Sequence, residues 1–208
     1  MNIVFLAVLA FLLAVSHVKA VPEPHNPHAG FYIGYNLGYT SINGKLTHDL
    51  TISRRKQYAS NEVGSNSSTV GIFLGYGWEP STNIYLGPEI FAQYENIKQN
   101  NQILNGETRI EANSSFGAAA KIGYLYKDAL FFVKQGVVSM SNKPENISLR
   151  KTGFLMGIGL DYAINRNLAI GGEFIYENYK SIKVVTPYGL ITYEPKKSTT
   201  NIRLKYTF

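Results

Sequence analysis

Cysteine is absent from all 208 residues of this chain. That excludes thiolate nucleophiles, thiolate metal sites and disulfides together, and an exported Cys-free chain cannot mispair. Charge is also scarce: Asp, Glu, Lys and Arg make up only 16% of the residues, and tryptophan occurs once. The net charge of +6 is too small and too dispersed to mark a nucleic-acid binder. Long apolar runs are missing after residue 30, so no stretch reads as a spanning helix, and no segment sustains a 3.6-residue period. What the chain has instead is tyrosine and glycine, 15 and 19 residues, within a composition that is 45% apolar.

The one apolar run lies at the start. Ile3 to Val15 has the length of an export-signal core and falls short of a bilayer span. Val18 and Ala20 supply the small residues of a cleavage site, although no Lys or Arg precedes the core. We expect residues 1–20 to be a cleaved signal peptide. Residues 21–30, "VPEPHNPHAG", then read as a short extended lead-in, and residues 31–208 as one domain.

Within that domain a period of two recurs eight times. "FYIGYNLGYT" sets Phe31, Ile33, Tyr35, Leu37 and Tyr39 against Tyr32, Gly34, Asn36 and Gly38. The same alternation runs through "TVGIFLGYGW", "PEIFAQYEN", "SFGAAAKIGYLY", "ALFFVKQGVVSM", "GFLMGIGLDYAI", "NLAIGGEFIYENY" and the final "NIRLKYTF". The connections alternate between long and short, for example about 28 residues after the first strand and two ("KD") after the fourth. Eight such strands predict an all-β fold, an eight-stranded antiparallel up-and-down transmembrane barrel with short turns at one rim and long loops at the other. A strand protein in hydrocarbon must close, because every backbone N–H and C=O needs an internal partner.

The glycine-rich polar face then lines the lumen. An eight-stranded barrel is only wide enough for side chains to fill it. The long inward residues are Glu89, Lys121, Lys134, Asp161, Glu173, Arg203 and Lys205, all near the short-turn rim. Lys121 and Lys134 flank the "KD" turn symmetrically and should face each other. Charges in such a place must be paired, so the seven are expected to form one ion-pair network. Pro88 removes a ladder donor inside a strand, and a local distortion is expected at Gly87 and Pro88.

The other candidates for chemistry are weak. His25 and His28 have no third ligand nearby, so no metal site and no cofactor is expected. His48 and Asp49 are accompanied by no nucleophile motif, and no enzyme signature appears anywhere. The sequons at Asn66, Asn113 and Asn146 carry no weight in a bacterial protein. In the long loops, Arg54, Arg55 and Lys56 with Lys196 and Lys197 form a basic patch. It suits lipopolysaccharide phosphates or anionic host and cell-surface polymers.

"FYIGYNLGY" at the start of the barrel, the eight alternating strands and the terminal "YTF" together resemble the OmpA-type eight-stranded outer-membrane proteins, in their barrel-only, porin-like surface-antigen branch. The resemblance covers about residues 31–208. It implies a location in the bacterial outer membrane, as a monomer among lipids and lipopolysaccharide. It also implies that Tyr206 and Phe208 are the signal read by the barrel-assembly machinery. No peptidoglycan-binding domain follows strand eight, so cell-wall tethering is not carried over. The expected function is a structural or adhesin-like surface protein acting through four extracellular loops. The alternatives are a narrow porin for ions or small solutes and, ranked last, a small-ligand carrier at the loop rim.

Overall fold

The computed structural model describes residues 26–52, 55–103, 106–143, 149–186 and 189–208. Nine β-segments occur in chain order: β1 (Gly30–Ile52), β2 (Arg55–Ser81), β3 (Ile84–Ile103), β4 (Gly106–Tyr126), β5 (Ala129–Lys143), β6 (Leu149–Ala163), β7 (Leu168–Tyr179), β8 (Ile182–Thr186) and β9 (Gly189–Thr207). Every neighbour is antiparallel, and the sheet closes through β1 and β9, from Tyr32↔Thr207 to Leu50↔Gly189. No sheet edge is left in the wall, as hydrocarbon demands.

Eight wall strands account for the nine segments, because β8 continues β7 along the same partner. The β7–β9 register ends at Asn178↔Lys196 and resumes one residue out of step at Ile182↔Tyr193. The skipped part of β9 contains Pro195, which has no N–H to give. A similar gap surrounds Pro88. Its β4 register is continuous, through Gly87↔Lys121 and Pro88↔Ala120. The β2 register passes from Gly75↔Glu89 to Trp78↔Leu86 with nothing paired between. The distortion expected from the proline thus falls on one side of the strand only.

The long connections differ from the expectation of open loops. β1 and β2 remain paired out to Ile52↔Arg55, and β3 and β4 out to Ile103↔Gly106. Both are hairpins that extend the wall past its apolar belt. The alternation fades there because water bathes both faces, whereas backbone pairing needs no apolar face to persist. At the opposite rim the turns are tight, with left-handed backbone at Asn83 (φ 68°) and Lys127 (φ 52°). There Asn165 Oδ1 accepts from the N–H groups of Asn167 and Leu168, 2.9 and 2.8 Å away.

The faces separate cleanly. Phe31, Ile33, Tyr35, Leu37 and Tyr39 on β1, and Ile202, Leu204, Tyr206 and Phe208 at the C-terminus, are exposed on the outside. The intervening residues are buried, apart from the half-buried Gly38. In water this exposed apolar surface would be costly, and in a bilayer it is the contact face.

Candidate functional site: an ion-paired lumen

The lumen is built by placing long side chains beside glycines. Asp161 and Arg203 both pair with Gly171, Lys134 with Gly157, and Glu89 with Gly75. A methyl group on Gly171 would stand 2.3 Å from Asp161 Oδ1, and one on Gly157 would stand 3.1 Å from Lys134 Cγ. The glycines supply the space the charged side chains occupy.

The seven charged residues read from the sequence converge in one cluster. Arg203 is 1% exposed. Its guanidinium meets Glu89 at 2.7 Å, Glu173 through Nη1, and Asp161 at 3.5 Å. Lys121 reaches Glu89 at 3.2 Å and Asp161 at 3.7 Å. Lys134 reaches Glu89 at 3.3 Å and Glu173 at 2.7 Å. Lys205 reaches Asp161 at 3.6 Å. Rings complete the packing: Arg203 lies 3.9 Å from the Phe73 ring centre, and Lys121 lies 4.0 Å from that of Phe132. Cations over ring faces gain from the ring quadrupole where water is excluded. With three carboxylates and four cations, the cluster carries one excess positive charge.

A second charged group lies further along the strands, and the sequence reading did not assemble it. Lys197 was placed in the basic loop patch, and the structure corrects this. Lys197 is 1% exposed and points into the lumen, 2.6 Å from Glu95 and 2.9 Å from Glu177. Tyr179 donates its hydroxyl hydrogen to Glu177. The signal was available, since Lys197 shares the odd-numbered face of Arg203 and Lys205. Between the two groups lies a buried neutral layer. There Thr40 and Thr199 share a hydrogen bond of 3.0 Å, and Asn201 Nδ2 donates to Glu173 at 3.0 Å.

Of the segment read as an extended lead-in, the described residues 26–29 form a turn that packs over the short-turn mouth. His28 is 0% exposed. Its Nε2 lies 3.0 Å from the Asp128 carbonyl oxygen, and its Nδ1 lies 2.9 Å from Lys205 Nζ. One tautomer satisfies both contacts, with Nε2–H donating to Asp128 and Nδ1 accepting from the ammonium. Asn26 Nδ2 donates to Glu79 at 2.6 Å and holds the fold-back against β2. Burial, and after it the nearby Lys205 charge, lower the His28 imidazole from 6.5 to about 4. A neutral imidazole fits a mouth that already carries an excess cation.

The remaining residues from the sequence reading lie elsewhere. Lys196 is exposed on the outer face. Arg54 falls outside the described residues, and of Arg55 and Lys56 only the backbone, in β2, is described. His25 is also outside them. Tyr206 and Phe208 face outward, their rings packed edge-to-face at 5.2 Å. Among the described residues no group of three or more His, Asp or Glu side chains is arranged to hold a metal ion.

Comparison with known proteins gives a consistent result. The family model for the outer membrane protein beta-barrel domain matches residues 5–208. The 31 kDa outer-membrane immunogenic proteins of Brucella melitensis and Brucella suis are each 29% identical over 212 aligned positions, covering 85% of this chain and 86% of theirs. The crystal structure of the outer membrane protein OprG from Pseudomonas aeruginosa superposes with a TM-score of 0.57, covering 89% of this chain and 100% of that one. At 12% identity this likeness is one of fold.

Proposed function

We propose that this chain, which belongs to the outer membrane protein beta-barrel domain family, is a surface-display barrel whose lumen is closed by ion pairs and whose contacts are made by its extended hairpins. Its place is the bacterial outer membrane, where the family and the Brucella relatives lie. The observation that carries the reading is the lumen itself. Arg203, Lys121, Lys134 and Lys205 share Glu89, Asp161 and Glu173 inside the barrel, and each charge that moved would strand a partner. A barrel filled this way acts as a rigid stand, and binding on such scaffolds is carried by what projects from them.

The hairpins β1–β2 and β8–β9 project furthest beyond the apolar belt, with Leu50 of β1 still paired to Gly189 of β9. The Brucella relatives are named for immunogenicity, which fits a display role for this chain as well. For the β1–β2 tip, the run Arg54, Arg55 and Lys56 suits anionic polymers on host or cell surfaces. Tyr206 and Phe208 would serve assembly into the membrane, and the protein would act as a monomer. The test is to insert an epitope between residues 53 and 54 and stain intact cells. Staining of intact cells, with binding to immobilised sulfated polysaccharide that is lost in an Arg54→Gln, Arg55→Gln, Lys56→Gln variant, supports the reading. Staining only after permeabilisation overturns it.

A further inference from the structure

Among the described side chains, exposed cations on the outer wall are unevenly distributed. Beyond the apolar belt at the long-hairpin end, the outward positions of β1, β2 and β4 with described side chains are Ser41, Asn43, Thr47, Gly64, Asn66, Ser68 and Ser114, all neutral. On β6, β7 and β9 the corresponding stretch carries Arg150, Lys180 and Lys196, all exposed. Lys180 stands just beyond the end of β7, its N–H directed at the Thr152 carbonyl oxygen at 3.4 Å.

The register places these three cations on one diagonal. Lys180 lies beside Thr152, and Arg150 is two residues from Thr152 on the same face. Asn178 pairs with Lys196, and Lys180 is two residues beyond Asn178 on the same face. Each step is a cross-strand diagonal of roughly 7–8 Å, so the row spans roughly 15 Å. Directly below it, Phe154, Tyr176 and Ile202 are the last exposed large apolar residues on these strands among the described side chains. Arg150 and Lys180 are each four residues past that edge, roughly 13 Å along a strand and roughly 10 Å along the membrane normal at a strand tilt of about 40°. The headgroup band lies some 5–8 Å beyond the hydrocarbon, within reach of these long side chains. Arg150 already leans on the belt, its guanidinium 5.1 Å from the Phe116 ring centre. Glu194 is the one exposed carboxylate on this stretch among the described side chains, which leaves a net charge of +2.

We infer that Arg150, Lys180 and Lys196 form a binding surface for the phosphates of an outer-leaflet glycolipid, whose acyl chains lie along Phe154, Tyr176 and Ile202. Guanidinium and ammonium groups beside an apolar wall match a phosphate joined to acyl chains. The row is wider than one phosphate, which favours a headgroup bearing two.

The test uses the purified protein in detergent micelles, titrated with diphosphoryl lipid A and followed by native mass spectrometry. The wild type should bind lipid A, and an Arg150→Gln, Lys180→Gln, Lys196→Gln variant should bind at least tenfold more weakly. A Lys127→Gln, Arg166→Gln variant at the opposite rim removes two positive charges against three and should bind as the wild type does. Heat-shifted gel mobility reports folding of each. The proposal is overturned if the triple variant binds unchanged, or if the opposite-rim variant weakens binding equally. It is also overturned if fully dephosphorylated lipid A or phosphatidylglycerol binds as tightly as the diphosphoryl form. Replacing Arg150 alone gives a milder change that keeps the test informative should the triple variant fold poorly.

Discussion

Lys121 and Lys134 pair directly across β4 and β5, and both ammonium groups reach the carboxylate of Glu89, at 3.2 and 3.3 Å. Two facing cations repel, so this pair is tolerable only because an acid from β3 lies between them. Arg203 reaches the same carboxylate from β9. Glu89 therefore ties strands on opposite sides of the barrel through one group.

Removing Glu89 should be more damaging than removing any one of its partners. Glu89→Ala leaves Lys121, Lys134 and Arg203 short of an acceptor inside the barrel. The expected loss is about 3–5 kcal/mol, the range for stranding buried charge. Lys134→Met removes one cation from a cluster that carries one in excess and should cost less. Urea midpoints followed by tryptophan fluorescence and heat-shifted mobility rank the two variants. A smaller loss for Glu89→Ala than for Lys134→Met would contradict the shared role.

Acid should loosen the short-turn mouth through His28. Its imidazole is neutral when folded down to about pH 4 and titrates near 6.5 when unfolded. Between those values the unfolded chain binds the extra proton, so this contribution to stability is full above about 6.5 and falls as pH drops toward about 4. Protonation would also remove the acceptor for Lys205, 2.9 Å away, and set two cations together. Other groups facing this corner are Asp161, Lys121 and the Asp128 carbonyl oxygen. His28→Gln should flatten the pH dependence of the urea midpoint across this window. An unchanged slope in the variant would assign the dependence to the carboxylates instead.

Two glycines should respond very unequally to one added methyl. A Cβ at Gly34 would stand 2.2 Å from Phe73 Cζ and 2.5 Å from the Leu204 carbonyl oxygen. At Gly172, on the outer face, the nearest atom is 3.8 Å away. Gly34→Ala should cost about 1–3 kcal/mol by overpacking. Gly172→Ala should stay within about 0.5 kcal/mol. Refolding yield and urea midpoint measure both, and equal effects would place Gly34 outside the packed lumen.

The faces of the wall were legible because a strand between lipid and a packed interior must alternate. Parity alone therefore assigned Arg203 and Lys205 inward and Tyr206 and Phe208 outward. Lys197 was missed where that logic loses its signal. Above the belt both faces are polar, the apolar residues that mark the outside disappear, and the alternation stops at Asn201 although pairing runs on. Glu95 and Glu177 sat on the correct parity but meet Lys197 only once the extended register is known. The burial of His28 was not legible in the sequence, because it depends on the turn at residues 26–29 packing over the mouth. The β7–β8 step likewise depends on Pro195 in the partner strand.

Single-channel conductance in a planar bilayer tests the closed lumen most directly. With the protein refolded and its folding established by heat-shifted mobility, the ion-paired interior predicts a silent bilayer at moderate voltage. Glu89→Ala, where it folds, should then raise the frequency of openings. Steady discrete openings of the wild-type protein would contradict the account. The Lys121, Lys134, Glu89 and Asp161 layer would then be a constriction through which ions pass, and the barrel a narrow pore.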